Sequence, residues 1–108
     1  GYTVHEVVDN RLWQEAALWN EAEGVLVVPE AVGTSSYMRA GDESLGVHPA
    51  LRLTPPRRLR RFSPERLLVG HGAGVHEDAS AVLEDALSGA RARAPRLYAE
   101  TARSFLPV

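Results

Sequence analysis

The run PERLLVGHGAGVHEDASAVLEDAL, residues 64 to 87, most narrows what this chain can fold into. Leu67-Leu68-Val69 reads as a short buried strand, the glycines of Gly70-His71-Gly72-Ala73-Gly74 as a turn, and Ala79, Val82, Leu83, Ala86, Leu87 and Ala90 as one face of a helix. A strand that hands over to an amphipathic helix needs a sheet to belong to and a face for the helix to cover. The run predicts an α/β (α+β) domain with a small mixed sheet flanked by helices.

The remaining elements fit that plan. Thr3 to Val8 alternates branched and polar residues, and Glu15 to Trp19 is a short apolar run that suits a strand or the start of a helix. Asn20 to Gly24 reads as a turn, and Val25-Leu26-Val27-Val28 as a strand buried on both faces and stopped by Pro29. A hairpin feeding a central strand is expected, with Glu30 just past its C-terminal end. Residues 33 to 49 read as a long loop with one helical turn, and Thr54-Pro55-Pro56 as the start of a short helix that buries Leu59 and Phe62. Asp78 is expected to cap the later helix, Gly89 to end it, and Pro95 to precede a last helix carrying Leu97, Thr101 and Phe105.

Composition limits the function. With 108 residues the chain predicts a single domain, and with no cysteine it has neither disulfides nor thiolate metal sites, so any metal must be held by His, Asp or Glu. A net charge of -2 gives no field to gather nucleic acid, and PPRRLRRF, with a single aromatic, reads as a solvated helix face. No apolar run reaches the roughly 20 residues of a membrane span and no secretory signal pattern opens the chain, so no nucleic acid, no membrane and a cytoplasmic setting are expected. The glycines around His71 match neither common phosphate-binding pattern, and Glu77 with Asp78 would repel an anion.

A histidine delivered by a strand into a glycine turn is well placed to act, because α/β sheets bind ligands at the carboxyl ends of their strands. Glu30 leaves the Val25 to Val28 strand in the same way, and a carboxylate beside an imidazole is half of a metal site. His48 and His76 are weaker candidates, each expected to decorate a loop. Trp13 and Trp19 are expected to anchor the core.

The order of VVPEAVGT, a helix, and PERLLVGHGAGV with its following helix is similar to the C-terminal half of the metallo-β-lactamase fold, over roughly Glu15 to Leu87. The resemblance implies half of an αββα sandwich. It makes His71 the last ligand of the second metal and puts Glu30 where the family has a bridging aspartate. It also implies zinc, or iron or manganese, and a small-molecule substrate. The HxHxDH motif of the family is absent, so no catalytic residue is assigned and a missing N-terminal half or an altered centre is expected. The competing expectation is a non-catalytic α/β binding or assembly module without metal, able to associate with itself through an exposed sheet.

Overall fold

The computed structural model describes residues 1 to 106. Strands β1 (Thr3–Asp9) and β2 (Gln14–Asn20) form an antiparallel hairpin whose turn is tied by Asn10. The Asn10 side-chain oxygen accepts from Leu12 N and Trp13 N at 2.9 and 2.8 Å, copying a backbone turn. Asn20 repeats the device before β3 (Val25–Val28), its Oδ1 accepting from Glu23 N at 3.0 Å. β3 runs antiparallel to β2 and parallel to β6 (Arg66–Val69), giving a mixed sheet in the order β1-β2-β3-β6. The two short strands β4 (Val32–Gly33) and β5 (Gly46–Val47) pair in a second sheet inside the stretch expected to be loop, which also holds the expected turn at Ser36–Met38.

Sheet alternation decides where the core lies. Ala17, Leu26, Val28 and Leu67 point to one face and are buried against Leu83, Ala86, Leu87 and Ala90 of helix α1 (Ala79–Ser104). Each leucine so buried contributes on the order of 1.5–3 kcal/mol. On the opposite face, the rung Val4, Leu18, Val27, Leu68 crosses all four strands. Val4 is 69% exposed, Leu18 37% and Leu68 38%.

Several local expectations are corrected. The described residues hold one long helix where two were expected, and α1 runs through both Gly89 and Pro95. Gly89 leaves room rather than ending the helix: the Arg93 guanidinium lies where a β-carbon at 89 would stand. Pro95 removes one helical N–H at a cost of about 3 kcal/mol, offset by tertiary docking beyond it. Leu97 is buried, Tyr98 donates to Pro49 O at 2.8 Å, and Glu100 accepts from Gly41 N at 3.2 Å. Phe105 follows the helix and is exposed rather than part of its buried stripe.

Asp78 stands at the N-cap position, yet its φ of 53° is left-handed and its side chain makes no cap hydrogen bond. The segment after Pro55-Pro56 is a five-residue 3-10 turn, Arg57–Arg61, not an α-helix: Pro56 stands at its N-cap, and Leu59 N and Phe62 N donate three residues back, to Pro56 O and Leu59 O. Leu59 and Phe62 are buried as expected, with Phe62 edge-on to His5 at 5.0 Å and tilted against Trp19 at 5.3 Å. The basic face is solvated, and Arg60 reaches Glu84 at 3.1 Å.

The stretch between β3 and β6 is fixed to α1 by an ionic group that no sequence pattern marks. Arg52 is fully buried, and its guanidinium donates to both Glu43 carboxylate oxygens at 2.5 and 3.0 Å, to Val47 O at 2.9 Å and to Met38 O at 2.7 Å. Arg93 of α1 reaches Glu43 at 3.0 Å and Asp85 at 2.9 Å. Burial pushes the Glu43 carboxyl up. The hydrogen bonds from Arg52, Ala40 N and Arg93 outweigh this and hold it below its ordinary value. Among the described residues no helix is long and apolar enough to cross a membrane.

Candidate functional site

Because β3 and β6 are parallel neighbours with Val28 opposite Val69, the residues after them leave the sheet together at one edge. Three hydrogen bonds lace the two exits. Gly70 N donates to Pro29 O at 3.0 Å, and His71 O accepts from Thr34 N at 2.9 Å and Ser35 N at 3.2 Å. Thr34 adds its hydroxyl, which donates to Ala73 O at 2.7 Å. The Glu30 side is held separately: Glu15 Oε2 accepts from Glu30 N at 3.1 Å and Ala31 N at 2.9 Å, while its Oε1 accepts from Trp13 Nε1 at 3.0 Å.

This lacing brings His71 Nε2 to 3.5 Å from Glu30 Oε1, with both side chains partly open to solvent. An N–H···O hydrogen bond prefers about 2.7–3.2 Å, so the contact is long for one. It falls within the roughly 3.3–3.6 Å that separates two donors of a tetrahedral zinc shell with bonds of about 2.0–2.2 Å. The pair therefore fits one edge of such a shell. The shell is not completed here, because among the described residues no three His, Asp or Glu side chains form a group that could hold a metal ion.

The structure also brings in residues that sequence reasoning placed elsewhere. His48 was expected to decorate a loop. It packs edge-on against Trp13 at 4.6 Å, and Tyr37 stands between the two imidazoles, its ring 6.2 Å from His48 and 6.0 Å from His71. Ala50 N donates to His48 Nδ1 at 3.0 Å, which leaves the proton of the neutral ring on Nε2. An open cleft of about 540 Å³ lies beside Glu30, lined by Leu12, Trp13, Gln14, Glu15, Ala16 and Pro29 as well. The two-residue spacing of Trp13 and Glu15 at the entry to β2, which puts them on the same side, was the one signal that could have placed them near Glu30. Tyr37 and His48 come from the irregular stretch, and no periodicity points to them. His76 is exposed and takes no part in the cluster.

Burial lowers the His48 pKa below its ordinary value of 6.5, and nearby His71 lowers it further while Glu30 and Glu15 pull it back up. The folded chain thus favours neutral His48, and the stability this contributes is present above pH 6.5 and is lost as pH falls through the lowered value. His48→Asn keeps a cap acceptor for Ala50 N and removes the titration. Urea midpoints measured on either side of pH 6.5 should show a smaller acid loss in His48→Asn than in the parent chain. An equal loss would exclude His48 as a contributor.

No protein-family model, no curated protein and no solved structure matches the chain.

Proposed function

We propose that His71 and Glu30 are two ligands of a divalent-metal centre of the metallo-β-lactamase-like kind, in a metal-dependent hydrolase acting on a small molecule. The observation that carries this reading is the 3.5 Å edge between His71 Nε2 and Glu30 Oε1 at the carboxyl ends of two parallel strands. Zinc is the first candidate, with iron and manganese as alternatives, and water or groups from outside the described residues would fill the remaining positions. A bound ion would supply Lewis-acid chemistry for hydrolysis. The parts this chain contributes are positional: Glu15 fixes the backbone that carries Glu30, Thr34 fixes the backbone that carries His71, and Trp13 and Tyr37 wall the approach. A cytoplasmic setting belongs to the same reading.

Cobalt(II) titration followed by its visible absorption tests it, since imidazole and carboxylate ligation produce a spectrum distinct from the hydrated ion. The parent chain should bind, and His71→Ala should weaken binding by at least about tenfold, near 1.4 kcal/mol, with its melting temperature little changed. Identical titrations for parent and variant would remove the metal reading.

A second reading, an assembly module without metal, is favoured by a different observation: the apolar rung Val4, Leu18, Val27, Leu68 on the sheet face opposite α1, exposed at Val4, Leu18 and Leu68 and half-buried at Val27. The two readings compete over the metal, and cobalt binding that is lost in His71→Ala favours the first.

A further inference from the structure

The exposed sheet face has a charge arrangement that selects its partner. Counting from the rung Val4, Leu18, Val27, Leu68, the next outward-facing residue of β1 toward the strand's C-terminal end is Glu6. The outward-facing residue of β6 one step in the opposite direction is Arg66. β1 and β6 are the two outer strands of the sheet and run parallel to each other, so Glu6 and Arg66 occupy diagonally opposite corners of one face. Arg66 has no ion-pair partner among the described residues. Glu6 meets Arg58 at 3.3 Å through Oε1 alone, an exposed pair, and its other oxygen stays open.

We propose that a second copy of this chain docks on this face, the two sheets crossing at near right angles about a two-fold axis that lies along the other diagonal. This rests on the assembly reading above and is independent of the metal reading. Packed sheets cross at about 30° or about 90°. A two-fold axis along the strands sets Glu6 of one copy over Gly70 of the other. An axis across the strands sets it over Tyr2. Only the diagonal axis, which crosses the strands near 90°, exchanges the two charged corners, so that each Glu6 meets the other copy's Arg66 and the contact forms twice. Four strands at about 4.8 Å spacing and four-residue strands at about 3.3 Å per residue make the shared patch nearly square, as a diagonal axis requires. The apolar rungs of the two copies then cross at the centre and are covered together, the usual layout of a dry core inside a polar rim.

Sedimentation equilibrium over a hundredfold range of concentration, run on the whole chain, tests the arrangement. The parent chain should associate to a dimer. Glu6→Arg and Arg66→Glu, each at an exposed position, should each raise the dimer Kd by at least about tenfold through two like-charge contacts, and the double variant should restore the parent value. Leu18→Asp, also exposed, should abolish the dimer while circular dichroism shows the fold intact. A dimer indifferent to both single reversals, as pairing along the free edge of β1 would give, overturns this geometry and leaves the assembly reading standing. A parent chain that stays monomeric throughout overturns both.

Discussion

Glu43→Ala is expected to lower the unfolding free energy by about 3–5 kcal/mol, the usual effect of removing one partner of a buried ion pair, read as a shift of the urea midpoint at unchanged slope. The variant strands Arg52, which is fully buried, with its charge facing only carbonyl oxygens. It also cuts Arg93 of α1 from the β4–β5 region. Against a total stability of about 5–15 kcal/mol, that is a large fraction. Pairing Glu43→Ala with Arg52→Met should recover most of the loss, because an apolar replacement of both partners leaves no buried charge. If the double variant is as weak as the single one, the network's worth lies in the hydrogen bonds to Met38 O and Val47 O rather than in charge compensation. The pH dependence follows from the lowered Glu43 pKa: its stabilisation is present above 4.5, the ordinary value, and is lost as pH falls through the folded value. Acid unfolding of the parent chain should therefore begin below that pH and be blunted in the double variant.

Gly72→Ala should lower the melting temperature by at least about 5 °C and weaken the metal binding proposed for the His71 edge. Gly72 has a φ of 100°, where a side chain is strained by about 1–3 kcal/mol. An added β-carbon would collide with Thr34 Oγ1 and stand 2.7 Å from Ser35 N, the very group that donates to His71 O. Relief of that collision must move the turn away from the β3 exit, and with it His71 away from Glu30. Ala73→Gly in the same turn is the control, since it adds no atoms. Unchanged melting and unchanged cobalt binding in Gly72→Ala would show that the lacing does not set the position of His71.

The sequence was most informative where one period or one residue type settles the local structure. The runs of Val25 to Val28 and Leu67 to Val69 have the length and branching of buried strands, and they form adjacent parallel strands whose ends place Glu30 and His71 together. Helix breakers were less reliable, because Gly89 and Pro95 act on local propensity whereas the docking of Leu97, Tyr98 and Glu100 is tertiary. Asp78 fails as a side-chain cap because its backbone is left-handed there. The loop was least legible of all. Glu43, Arg52 and Arg93 lie on three different segments, and polar residues that far apart give no sign that they will be buried together. His48 and Tyr37 reach the candidate site through the same stretch, and for the same reason they went unplaced.

The parallel β3–β6 pair also sets the order in which the chain can acquire its site. The β1–β2 and β2–β3 hairpins close over a few residues each, but the rung joining Val25 to Arg66 encloses roughly forty residues of chain with no α-helix inside to shorten the search. Such closures dominate folding times, because their entropy is lost before their contacts form. Glu30 and His71 meet only once this closure is complete, so a collapsed chain with both hairpins formed would hold neither the proposed metal edge nor the paired exits. Recovery of cobalt binding after dilution from urea should therefore trail the recovery of hairpin structure.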